Sequence, residues 1–89
     1  NVVQYAVLVH MLAQVCDMLP GELMHVIADA HIYDRHIPII KELITRPTHE
    51  APDFWLNPEI HDFYEFTRND VRVDNYVTEP QIETIPVAI

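Results

Sequence analysis

Eighty-nine residues make at most one small domain, and 49% of them are hydrophobic, yet there is one glycine where average usage gives roughly six. Five Lys and Arg stand against fourteen Asp and Glu, a net charge of −9 that argues against nucleic-acid or anionic-membrane partners. A single cysteine, Cys16, excludes a disulfide framework and a Cys-rich zinc site, and suits a reducing compartment.

The first predicted element is a helix over Val2 to Met18, with Asn1 as N-cap type and Pro20-Gly21 as its stop. His10, Gln14 and Asp17 fall within about 60° of one another, and nearly all the rest is apolar. That pattern predicts a helix central in a larger core. The same three polar residues break the run before it reaches the ~20 residues a membrane span needs, and no basic region marks a signal peptide. The apolar opening and the lack of an initiating Met predict a piece of a larger domain.

From Glu22 to Tyr33 the period becomes two, which predicts a strand. Met24, Val26, Ala28, Ala30 and Ile32 form one apolar face; His25, Ile27, Asp29, His31 and Tyr33 form the other. A second helix is predicted over Asp34 to Arg46, with Pro38 in its first turn and Ile37, Ile40 and Ile44 on one stripe. After Arg46-Pro47 come a short extended piece at Phe54 to Leu56, a helical turn within Ile60 to Phe66, and a strand over Val71 to Tyr76. Pro80 to Ile89 reads as extended or irregular.

Three groups of residues carry a family resemblance. Asn1-Val-Val-Gln-Tyr5 followed by Met11-Leu-Ala-Gln-Val-Cys16 resembles the Asn-containing segment and long helix of thymidylate synthases. Asp29-Ala-His-Ile-Tyr33, with His36 after it, is similar to the family's Asp-x-His-x-Tyr strand, and Pro86-Val-Ala-Ile89 to its apolar C-terminus. Glu50-Ala-Pro-Asp-Phe-Trp-Leu-Asn-Pro-Glu59 and Asp62-Phe-Tyr-Glu-Phe66 resemble the Bacillus-type branch. Ala28 stands where the family usually has Gly, and Leu43 where it commonly has Gln.

The resemblance implies an α+β fragment, residues 1–89 being the C-terminal third of a single domain in which helices cover a mixed sheet, and not an independent domain. It implies a methyltransferase of nucleotide biosynthesis that converts dUMP to dTMP with 5,10-methylenetetrahydrofolate as cosubstrate, in a cytoplasmic homodimer without a metal, nucleic acid or membrane. In the family the Asn1 position reads uracil and the His31 and Tyr33 positions bind the deoxyribose 3′-hydroxyl. Val87, Ala88 and Ile89 then match the lid over the folate. No catalytic residue falls in this segment, because the family nucleophile is a cysteine in an upstream Pro-Cys-His loop. Cys16, late on an apolar helix with no basic neighbour, is expected to be a buried structural cysteine. Arg35, Lys41, Arg46, Arg68 and Arg72 match no phosphate ligand and are expected on the solvated surface. Asp29 is expected to act as a structural acceptor.

Two other classes compete. His25, Asp29, His31 and His36 would suit a metal-dependent hydrolase fragment, although no His-Glu-x-x-His spacing is present. An acidic helical interaction module would use the first helix as its docking surface.

Overall fold

In the computed structural model, which describes residues 1–81, the first helix, α1, runs over Val2–Val15. It stops three residues earlier than the sequence predicts, and Pro20-Gly21 is not the cause. The Met18 N–H donates to the Ala13 carbonyl (2.8 Å) and the Asp17 N–H to the Gln14 carbonyl (3.1 Å). Those two reversed bonds form a Schellman motif, with Asp17 in the left-handed position at φ 56° that glycine usually fills. Asn1 is the N-cap residue, but its side chain makes no capping hydrogen bond.

Residues 19–27 carry no regular secondary structure, and a turn lies at 28–29. The predicted strand is therefore absent from the described residues. Alternation fixes which side chains share a face; it does not supply the neighbouring strand whose N–H and C=O groups a strand must pair with. Met24 and Val26, predicted as core, are 84% and 77% exposed.

Tyr33 leads into a 3₁₀ turn, Asp34–His36, continuous with the second helix, α2, at Ile37–Leu43. Pro38 sits in its first turn, where the missing N–H costs nothing. The stripe of Ile37, Ile40 and Ile44 does not become the packed face: Ile44 is 77% exposed, while Ile39, on the opposite side, is buried. Arg46 is also only partly solvated, its guanidinium donating to the Pro80 carbonyl (2.7 Å) and lying 3.6 Å from Glu42.

Two strands follow as predicted. β1 (Asp53–Leu56) pairs antiparallel with β2 (Val71–Asp74), Phe54 opposite Val73 and Trp55 opposite Arg72. The Arg72 guanidinium lies 4.7 Å from the Trp55 ring, a cation–π contact on the open face of the ribbon. Asp53 faces Asp74, a like-charge pair relieved by donors from Asn75 (2.6 Å) and Arg72 (3.0 Å) respectively. A 3₁₀ turn at Phe63–Glu65 fulfils the helical turn predicted there.

The α+β architecture is thus a helix laid on a two-stranded ribbon, with α2 beyond it. Ile39 is the only buried hydrophobic residue described, and no residue of α1 is buried. The radius of gyration is 17.0 Å, against about 12 Å for a compact domain of this length. A helix apolar over most of its circumference, with no core around it, marks an incomplete hydrophobic assembly. No helix among the described residues is long and apolar enough to cross a membrane.

Candidate functional site

His31 and Tyr33 come together even though their segment is not a strand. Their ring centroids are 5.3 Å apart at 61°, an edge-on contact. His31 Nδ1 lies 2.7 Å from the Asp29 carbonyl oxygen, with the Asp29 carboxylate 3.7 Å away. A carbonyl can only accept, so Nδ1 carries the proton in that bond, and Nε2 of the neutral ring is left as an acceptor. The Tyr33 phenol can donate or accept. Side by side, these two groups can take both halves of an alcohol: its proton on the imidazole, its oxygen lone pair on the phenol.

The Asp29 acceptor in this bond is its main-chain carbonyl, a group that any residue at the position would supply. His36 continues the cluster, its ring 5.4 Å from Tyr33 at 63°. His25 does not join it. That residue lines a separate cleft of about 480 Å³ against α1, with Tyr5, Leu8, Leu12 and Leu23. Among the described residues no group of three His, Cys, Asp or Glu side chains comes together to hold a metal ion.

Cys16 is exposed, correcting the expectation of a buried thiol. It caps α1 at the point where the chain turns away, one residue before the left-handed Asp17. Val87, Ala88 and Ile89 lie outside the described residues. Two features escape sequence reasoning. An apolar groove of about 690 Å³ runs between α1 and the ribbon, with His10, Phe54, Val73 and Tyr76 among its walls. Beside it, the His10 ring packs 4.6 Å from Phe54. Nothing in a linear pattern joins residues forty or more positions apart; only the polar stripe of α1 hints that His10 and Gln14 have partners.

The thymidylate synthase family model matches residues 1–89. The thymidylate synthase of Leuconostoc mesenteroides is 39% identical over 89 residues, covering 100% of this chain and 27% of that protein. That of Clostridium beijerinckii is 47% identical over 78 residues, 85% of this chain and 30% of that protein. The structure of thermostable thymidylate synthase A from Bacillus subtilis superposes with a TM-score of 0.89 at 43% identity, over 94% of this chain and 30% of that one. The chain belongs to the thymidylate synthase family. It spans less than a third of the length of these relatives, and neither the hydrolase nor the interaction-module reading is favoured.

Proposed function

We propose that this chain is the C-terminal third of a thymidylate synthase domain that reductively methylates dUMP to dTMP. 5,10-Methylenetetrahydrofolate supplies both the carbon and the hydride. The observation that carries the reading is the family match across all 89 residues, and the contact between the His31 and Tyr33 rings supports it.

Within that reaction, His31 and Tyr33 take the deoxyribose 3′-hydroxyl and so position the base, a contribution to reactive geometry. Asn1 reads uracil, its amide oxygen accepting from N3–H and its amide nitrogen donating to O4. Donation to O4 also steadies charge that develops there when a thiolate attacks C6 and makes C5 nucleophilic. That thiolate belongs to an upstream cysteine, not to Cys16. Val87, Ala88 and Ile89 close over the folate and exclude water. The whole enzyme is a cytoplasmic homodimer working without a metal.

The test is an assay of dTMP formation from dUMP and methylenetetrahydrofolate by the intact protein and by the 89-residue chain. Turnover is expected from the first and none from the second. An inactive intact protein, or an active isolated chain, overturns the proposal.

A further inference from the structure

Tyr33 contacts two imidazoles at nearly equal distance and tilt: His31 at 5.3 Å and 61°, His36 at 5.4 Å and 63°. Both contacts fall in the edge-to-face range that aromatic pairs prefer. The His31 imidazole is fixed by its bond to the Asp29 carbonyl. The main chain of His36 is set by its N–H, which donates to the Tyr33 carbonyl at 2.8 Å and closes the 3₁₀ turn. Directly after it, Ile37 and Pro38 start α2, which sets the direction of the turn. Within this chain Tyr33 is 40% exposed, and the two imidazoles are its aromatic neighbours.

We propose that His36 is a positioning residue for Tyr33, holding the phenol at the angle from which its hydroxyl meets the nucleotide's 3′-hydroxyl. The proposal rests on the reading of His31 and Tyr33 as the hydroxyl-binding pair. His36 touches no substrate atom; it acts through the ring it buttresses. Its role is therefore specific to the 3′-hydroxyl and does not extend to the base or phosphate.

The experiment measures dissociation constants of dUMP and of 2′,3′-dideoxyuridine monophosphate for the intact protein and its variants. The ratio of the two reports recognition of the 3′-hydroxyl alone. Tyr33→Phe is expected to lower that ratio, leaving the share that His31 contributes. His36→Leu is expected to lower it roughly two- to tenfold, the size of one aromatic contact, with binding of the dideoxy nucleotide unchanged. His36→Phe, which keeps a ring edge against Tyr33, retains the ratio, and His36→Leu adds nothing in a Tyr33→Phe background. If His36→Leu loses its melting transition, His36→Asn replaces it with the same expected loss. A ratio unchanged by removing the ring, or an equal loss of affinity for both nucleotides, overturns the proposal. A ratio unchanged in Tyr33→Phe overturns instead the hydroxyl-binding reading beneath it.

Discussion

The Gln14 side-chain amide donates to two main-chain carbonyls, those of Asn57 at 2.7 Å and Ile60 at 2.8 Å, and so pins α1 to the turn after β1. Both of its amide hydrogens are used, each on a group some forty residues away. Gln14→Leu in the intact protein is expected to lower unfolding free energy by about 1–3 kcal/mol, since two half-buried carbonyls lose their donor. Gln14→Glu is expected to cost more, because a carboxylate has no proton to offer and would face two carbonyl oxygens. Denaturant titration of both variants measures this; a midpoint equal to wild type for Gln14→Leu means the clasp stabilises nothing.

Asp17 is a residue whose replacement stabilises. It occupies the left-handed position of the Schellman motif at φ 56°, where a Cβ is a steric burden, and its negative charge lies at the helix C-terminus. Asp17→Gly is expected to raise stability by about 0.5–1 kcal/mol, the relief of strain exceeding the greater freedom glycine has when unfolded. Asp17→Ala removes the charge but keeps the Cβ, and is expected to gain less. Parallel unfolding curves decide it, and a glycine variant less stable than wild type would show that the Asp side chain has a contact of its own to lose.

Asp70 makes stability depend on acid. Its carboxylate accepts from the Asn57 amide (2.9 Å), the Thr67 N–H (2.7 Å) and the Thr67 hydroxyl (2.9 Å). These bonds favour the charged form, Asn57 foremost, and hold the group below its ordinary value. A depressed carboxylate contributes fully above its unfolded pKa, about 3.9, and loses that contribution as pH falls through the lower folded value. Melting temperatures of wild type and Asp70→Asn are therefore expected to differ most at neutral pH and to converge below about pH 4. A gap that stays constant down to pH 2 would mean that ionisation of Asp70 is not involved.

What was legible in the sequence divides along a physical line. Local chemistry was readable: Pro38 at the start of α2, the alternation that became β2, the extended piece at Phe54, and the His31–Tyr33 pairing. Everything that needs a partner was not. The 22–33 pattern predicts a strand, but a strand forms only where another backbone lies alongside. Ile37, Ile40 and Ile44 make a regular stripe, yet the side on which a helix is covered depends on what lies there, and Ile39 took the contact. Cys16 sits in an apolar run, which predicts burial, but burial needs a covering surface, and in this chain neither the thiol nor any residue of α1 has one.

Asn1 gives the sharpest test of the proposed chemistry. Uracil presents N3–H as donor and O4 as acceptor, and a side-chain amide matches that order with its oxygen and nitrogen. Cytosine presents the reverse, an unprotonated N3 and a 4-amino donor. Asn1→Asp replaces the amide nitrogen with a second oxygen. Ionised, the new group accepts from the 4-amino group; protonated, it can also donate to N3. Against uracil the same oxygen faces O4, an acceptor against an acceptor, a mismatch of about 1–3 kcal/mol, or roughly five- to 150-fold in affinity. The intact Asn1→Asp protein is therefore expected to move its preference from dUMP toward dCMP, with stability little changed because the side chain makes no capping bond. Binding constants for the two nucleotides and the melting temperature are read on the same samples. Wild-type discrimination together with a lowered melting temperature would identify Asn1 as a helix cap and not the reader of the base.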